Sequence, residues 1–92
     1  MIKVMRFTAP WCAPCKMIAP IFKQLQEEMP AVTFETVDVD ASPDLATQYK
    51  VRSVPTIIIF KNDIDVVSLT GANSKAGYTE LINDVINGKF DK

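Results

Sequence analysis

The chain has 92 residues, enough for one globular domain with one hydrophobic core and too few for two. A net charge of −1 and scattered lysines and arginines argue against a surface for nucleic acid or for an anionic membrane. No apolar run is long enough to cross a bilayer, and charges interrupt Met1–Arg6, so we expect no signal peptide. We therefore predict a single globular domain over residues 1–92.

The first predicted element is a strand, Ile2–Thr8, which runs through a short loop into the segment Trp11-Cys12-Ala13-Pro14-Cys15. A helix should follow from about Ala13 to Met29, because apolar residues recur there at helical spacing. They are Ile18, Ile21, Phe22, Leu25 and Met29. Pro20 removes one backbone hydrogen bond inside this helix, so we expect a kink.

Both cysteines of the chain lie at the start of this helix. The unpaired N–H groups and the dipole of a helix N-terminus stabilise an anion, and the thiolate is the reactive form of cysteine. Lys16 adds positive charge close by, and Pro14 is tolerated because first-turn N–H groups have no intrahelical partner. The pattern predicts a reactive dithiol of Cys12 and Cys15.

Three other interpretations of the cysteine pair are weaker. A zinc site needs about four ligands, and two cysteines without any histidine cannot supply them, so we predict no metal. A structural disulfide over so short a loop would stabilise the fold by only about 2 kcal/mol in the chain-entropy model. Buried, inert thiols are disfavoured because a cysteine after Pro10-Trp11 at a helix start should not be deeply buried.

The next elements alternate between strand and helix. Val32–Val39 is predicted as a strand covered on both faces, and Ser42 with Pro43 should start a short helix. Its inner face comprises Leu45, Ala46 and Tyr49. The unbroken apolar run Thr56–Phe60 predicts a central strand.

The C-terminal part is predicted as a hairpin and a helix. Asn62-Asp63 forms a tight turn into an antiparallel strand, and the last helix runs from about Ser74 to Gly88. The strand contributes Val66, Val67 and Leu69, and the helix buries Tyr78, Leu81, Ile82, Val85 and Ile86. The predicted fold class is α/β: a four-stranded mixed sheet, βαβ then ββα with an extra helix in the crossover, flanked by helices.

Three segments resemble the thioredoxin family. Trp11–Pro20, which reads WCAPCKMIAP, resembles the family's active-site segment. Val54-Pro55-Thr56 and Gly71-Ala72 follow in thioredoxin order and spacing, so the resemblance covers nearly the whole chain. The chain resembles a short thioredoxin that lacks the usual N-terminal strand and helix.

The resemblance implies a role for each segment. Cys12 would attack a substrate disulfide, and Cys15 would resolve the mixed disulfide. The substrate-binding surface would comprise Trp11, Pro14, Val54, Pro55, Gly71 and Ala72, with a cis peptide bond before the second proline. Positions Val39, Ser53 and Thr70 correspond to the rest of the groove, although sheet packing explains the first and last nearly as well.

Two departures from the family pattern modulate this site. Ala13 replaces the usual glycine between the cysteines and restricts the turn. Arg6 replaces a buried aspartate and, unlike a carboxylate, cannot act as a base. Two interpretations stay open: Arg6 lies under Cys15 and lowers the pKa of that thiol, or it reaches water or pairs with an acid such as Asp38. We favour the second.

The resemblance implies a monomeric protein-disulfide reductase that serves as an electron carrier in cell redox homeostasis. Two cysteines, with no signal peptide expected, indicate a reducing cytoplasm. No cofactor is expected to be bound; because no dinucleotide-binding glycine motif is present, electrons should come from a separate NADPH-dependent thioredoxin reductase. Substrates would be disulfide-containing proteins, with ribonucleotide reductase as a plausible acceptor by analogy. The alternatives are an interaction subunit with incidental cysteines, or a glutaredoxin-like reductase recharged by glutathione.

Overall fold

The computed structural model describes residues 1–91, which form four strands and three helices. The elements are β1 Ile2–Thr8, α1 Ala13–Glu28, β2 Val32–Asp38, α2 Pro43–Gln48, β3 Thr56–Lys61, β4 Ile64–Thr70 and α3 Lys75–Ile86. Lys92, the last residue of the predicted domain, lies outside the described residues. The predicted bounds agree with these elements to within one or two residues.

The strands form one mixed sheet in the order β2-β1-β3-β4. β1 and β2 are parallel and joined through α1, since parallel neighbours need a crossover connection. β3 is antiparallel to both β1 and β4. This arrangement confirms the predicted fold class.

Both faces of the sheet are covered, because successive strand residues point to opposite sides. One face packs against α1 and α3, and the other packs against α2 and the turn that follows it. The first face buries Val4, Ile57 and Ile59 of the sheet against Ile18, Phe22, Leu25, Tyr78, Ile82 and Val85. The second buries Met5, Phe7, Val37, Ile58 and Phe60. Two-sided burial explains why β3 reads as an unbroken apolar run.

The helix ends differ from the predictions in two details. Ser42 is the N-cap residue of α2, but its side chain makes no capping hydrogen bond. Ile86 was predicted to be buried and is 44% exposed, because it lies one residue, about 100° around α3, beyond the buried Val85. Ser74 does cap α3, and its Oγ accepts the N–H of Gly77 at 3.0 Å.

The turn between β3 and β4 places two non-glycine residues in the left-handed region. Asn62 has φ 53° and Asp63 has φ 70°, which is the pattern of a type I′ hairpin turn. Asparagine and aspartate tolerate this conformation better than other L-residues, but glycine adopts it without steric cost.

Replacing Asp63 by glycine should therefore stabilise the hairpin. We expect Asp63→Gly to raise the free energy of unfolding by up to about 1 kcal/mol, measured by urea denaturation. Asp63→Val is the matched control and should lower the same quantity, since a β-branched residue is least tolerated at positive φ. A destabilised glycine variant would contradict this account of the turn.

Candidate active site

Cys12 is the N-cap residue of α1. The loop after Thr8 carries the chain to this position, and the Sγ atom of Cys12 accepts the backbone N–H of Cys15 at 3.2 Å. The backbone N–H of Lys16 donates to the carbonyl oxygen of Cys12 at 3.2 Å and so begins the helical ladder. Pro14 lies in the first turn, where its missing N–H removes no helical bond. A negative charge on Sγ of Cys12 would thus meet an N–H donor and the positive end of the helix dipole.

The two cysteines form a disulfide with their Cα atoms 5.3 Å apart. Cys12 is only 4% exposed and Cys15 only 1%, so the expectation that the first cysteine would not be deeply buried is wrong. The reason is tertiary packing: Ala9 is buried with the pair, and Val39 and Val54 pack against it. A residue pattern along the helix cannot report these contacts from other segments.

The loop before β3 closes over the disulfide. The Val54–Pro55 peptide bond is cis, as the family resemblance implies. The carbonyl oxygen of Val54 lies 3.7 Å from Sγ of Cys12, whereas the ring of Pro55 is fully buried. Thr56 holds the turn, because its hydroxyl donates to the carbonyl oxygen of Ser53 at 2.7 Å. Val54 therefore forms the surface beside Cys12, and the buried Pro55 lies behind it.

A small cavity of about 110 Å³ lies beside this loop. It is lined by Trp11, Val39, Val51, Arg52, Ser53 and Val54. Trp11 is 68% exposed, and its Nε1–H donates to Oδ2 of Asp40 at 3.0 Å. The indole is thus a fixed apolar surface next to the disulfide. Sequence reasoning missed Arg52, Val51 and Asp40; for the first two, nearness to Val54 was the only available signal.

The segment after β4 lies against the same loop from the sheet side. The backbone N–H of Gly71 donates to the carbonyl oxygen of Pro55 at 2.8 Å, and Gly71 has φ 95°. Tyr78 secures this segment from α3: its hydroxyl accepts the N–H of Asn73 at 2.9 Å and donates to the carbonyl oxygen of Gly71 at 3.5 Å. Burial raises the pKa of Tyr78, so the phenol keeps its proton. Gly71 borders Pro55, Ala72 is exposed, and neither residue lines the cavity beside Trp11.

Arg6 points from β1 toward α1 and is half-buried. Its Nη2 donates to the Thr36 hydroxyl at 3.3 Å, and its guanidinium carbon lies 5.4 Å from the centroid of the Phe22 ring. Burial lowers the pKa of Arg6, but arginine stays protonated in proteins. We favoured an Arg6 that reaches water or pairs with an acid such as Asp38. Among residues 1–91 the pairing is absent, since Oδ1 of Asp38 instead accepts the N–H groups of Asp40 and Ala41, whereas the hydrogen bond of the Arg6 Nη2 to Thr36 is exposed to solvent.

Neither a metal site nor a membrane-spanning helix is found in the described part of the chain. Residues 1–91 contain no group of three or more cysteine, histidine, aspartate or glutamate side chains that could hold a metal ion. In the same part of the chain, no helix combines the length and the apolar character that a membrane span requires.

Because a thiolate on Cys12 would be stabilised at the helix N-terminus and Cys15 lies within disulfide distance, the pair can exchange with another disulfide, which is the chemistry of a thiol–disulfide oxidoreductase. The thioredoxin family model matches residues 2–84. The chain belongs to the thioredoxin family, whose members need no bound cofactor for this exchange.

Curated relatives and solved structures agree with this assignment. The chain is 44% identical over 77 residues to a thioredoxin of Chlamydia trachomatis, covering 84% of this chain and 76% of that protein. It is 46% identical over 70 residues to thioredoxin H5 of rice (Oryza sativa subsp. japonica), covering 76% of this chain but only 52% of the rice protein. The chain thus spans about half the length of that relative. Mitochondrial thioredoxin 3 of Saccharomyces cerevisiae, in its oxidised form, superposes with a TM-score of 0.85 at 36% identity, covering 90% of this chain and 77% of that one.

The geometry of the reduced pair can be tested by alkylation. We expect iodoacetamide near neutral pH to label Cys12 first, because its sulfur faces the backbone N–H of Cys15 and the helix N-terminus, whereas Cys15 lies one turn inside. Peptide mass mapping after brief labelling identifies the modified cysteine. Cys15→Ser should be labelled at a similar rate, whereas Cys12→Ser should be labelled much more slowly. Preferential labelling of Cys15 would reverse the assignment.

Proposed function

We propose that this protein reduces disulfide bonds in other proteins, with Cys12 as the nucleophile and Cys15 as the resolving thiol. The observation that carries the proposal is the disulfide between these two residues at the N-terminus of α1. In the reduced protein, the Cys12 thiolate attacks one sulfur of the substrate disulfide. The substrate S–S bond breaks, its electron pair leaves on the second sulfur, and solvent protonates that sulfur.

The second step returns the protein to the state seen in the structure. Cys15 loses its proton to solvent and attacks Sγ of Cys12 in the mixed disulfide. The bond between Cys12 and the substrate sulfur breaks, and the substrate leaves as a thiolate that takes up a proton. Two electrons have then passed from the dithiol to the substrate, and the Cys12–Cys15 disulfide has formed.

The surroundings of Cys12 suit an extended polypeptide as substrate. Trp11 presents an exposed apolar ring beside Cys12. Val54 lines the same cavity as Trp11, and its carbonyl oxygen lies near Sγ of Cys12. An extended substrate segment can pair with exposed backbone groups and place its disulfide over Cys12. Ser53, Gly71 and Ala72 complete the proposed binding surface at the same end of the sheet.

The supply of electrons and the cellular role belong to the same proposal. The sequence carries no dinucleotide-binding glycine motif, and we assign the reduction of the disulfide to a separate NADPH-dependent thioredoxin reductase. Ribonucleotide reductase is one acceptor that family analogy supports. We place the monomer in the cytoplasm, because a chain with only two cysteines and a catalytic pair fits a reducing compartment.

Insulin reduction tests the function and the electron source together. With NADPH and thioredoxin reductase, the protein should accelerate insulin precipitation well above the rate without it, and Cys12→Ser should abolish the acceleration. A parallel reaction uses glutathione, glutathione reductase and NADPH. Turnover only with glutathione would indicate a glutaredoxin-like reductase, and no turnover with either system would indicate an interaction subunit.

A trapping experiment tests the two cysteine roles. Cys15→Ser should accumulate a mixed disulfide with a disulfide-containing protein, because the second step has lost its nucleophile. Non-reducing gels and mass spectrometry detect the adduct, and dithiothreitol should release it. Cys12→Ser is the matched control and should trap little. Equal trapping by both variants would mean that the roles are not divided as proposed.

A further inference from the structure

The sheet beneath the cysteine pair carries a charge that the exchange reaction described above does not use. We propose that Arg6 is a positioning residue of the resolving step: its guanidinium stabilises the thiolate that Cys15 forms when it attacks the mixed disulfide. This inference rests on the proposed function and deepens it. It assigns Arg6 an electrostatic role that acts through Cys15, without contact with the substrate.

The first support is the shape of the space around α1. Arg6 and Cys15 line the same cleft, of about 270 Å³, together with Ala19 and Lys16. Ala19 lies one turn after Cys15 on the same helix face, and its small side chain leaves room between helix and sheet for the arginine stem. A second cleft, of about 130 Å³, continues past Ala19 to Phe22 and again includes Arg6. Arg6 therefore lines the space under α1 from Cys15 to Phe22, and its guanidinium carbon lies 5.4 Å from the centroid of the Phe22 ring.

The second support is that the charge of Arg6 is uncompensated in the oxidised protein. Among residues 1–91 no carboxylate lies within ion-pair distance of Arg6, and its buried Nε has no hydrogen-bond partner. The guanidinium contacts the Thr36 hydroxyl and the face of the Phe22 ring, and both groups are neutral. A half-buried cation without a counter-ion costs folding free energy. A role in stability would be served better by an apolar side chain such as methionine.

The other charged groups around Cys15 leave the local balance positive. From α1, Lys16 lines the cleft; from the end of β2, Asp38 lines it, but Oδ1 of Asp38 already accepts two backbone N–H groups. From α3, Tyr78 faces Arg6 and stays neutral, because burial raises its pKa. On the far side of Arg6, Glu35 pairs with Lys3. Two cations, Arg6 and Lys16, and one engaged carboxylate therefore line the cleft that includes Cys15.

Within the reaction cycle, the charge of Arg6 acts in the resolving step. In the disulfide, Cys15 carries no charge. During resolution its thiol releases a proton to solvent, its sulfur bears the negative charge, and this charge passes to the departing substrate sulfur as the Cys12–Cys15 bond forms. A cation near Cys15 therefore raises the fraction of reactive thiolate at neutral pH.

The test follows the two steps separately with 5,5′-dithiobis(2-nitrobenzoate). Attack by Cys12 releases one equivalent of thionitrobenzoate, and resolution by Cys15 releases the second, so stopped-flow absorbance gives a pH profile for each. In Arg6→Met we expect the midpoint of the second profile to move to higher pH and the rate of the second release at pH 7 to fall about 3- to 10-fold, since one pKa unit is a tenfold change in thiolate. The first release should change less.

Two further variants separate charge from packing. Arg6→Lys keeps the charge and should retain a midpoint near that of the wild type. Lys23 lines the second cleft, near Phe22, but not the cleft that includes Cys15. Lys23→Met should therefore leave both pH profiles unchanged. Thermal melts check that each variant is folded, and Arg6→Gln replaces Arg6→Met if the latter does not fold.

The outcomes are distinct. An unchanged or lowered midpoint in a folded Arg6→Met or Arg6→Gln protein would overturn the proposal, as would an Arg6→Lys profile that matches the neutral variants. In each of these cases the first release still occurs, so the proposed reductase function would stand. If the wild type releases no thionitrobenzoate at all, the proposed function itself fails.

Discussion

The chemistry of this protein depends on the orientation of one helix N-terminus. The first turn of α1 directs a backbone N–H at the sulfur of Cys12, and the helix dipole has its positive end at the same place. That orientation is set by apolar packing far from the sulfur atoms: Ile18, Phe22 and Leu25 press one face of α1 onto the sheet. Hydrophobic burial thus fixes the direction in which a polar backbone group points.

The rest of the site is held by the hairpin of β3 and β4. Pairing between these strands brings Thr70 opposite Thr56, which places Gly71 against the carbonyl oxygen of Pro55. The Val54–Pro55 loop is therefore tied to β4 on one side and faces Cys12 on the other. Segments distant in the sequence meet at one end of the sheet because the two strands that carry them, β1 and β3, are neighbours. The site is a consequence of strand order.

The sequence was sufficient to predict those features that depend on local pattern. Helical spacing after Cys15, the unbroken run of β3 and the turn at Asn62 led to the right elements, because each feature reports burial or backbone preference at its own position. The burial of Cys12 and the exposure of Ile86 were predicted wrongly, since each depends on which neighbours the fold supplies. The contact of Trp11 with Asp40 was missed for the same reason: no spacing rule joins two loops.

Arg6 shows most clearly how a local rule and a tertiary arrangement can differ. From the sequence, we expected Arg6 to reach water or to pair with an acid such as Asp38. In the structure, the turn after β2 engages Oδ1 of Asp38 with two backbone N–H groups, which leaves the guanidinium on an aromatic face and a hydroxyl. The turn thus engages the carboxylate of Asp38, which does not pair with Arg6 although both residues line the same cleft.

The charge of Arg6, in the role proposed for it, would affect the redox equilibrium of the cysteine pair as well as the rate of the resolving step. A disulfide carries no charge, so in the oxidised protein a cation near Cys15 gains no electrostatic stabilisation from the sulfur. Its partial burial then only lowers the stability of the fold. In the reduced protein the same cation can interact with a thiolate. Any interaction made in one redox state and absent from the other shifts the equilibrium toward the state that makes it. On the role proposed for Arg6, an arginine at this position would favour the dithiol form, whereas a carboxylate there would oppose the thiolate.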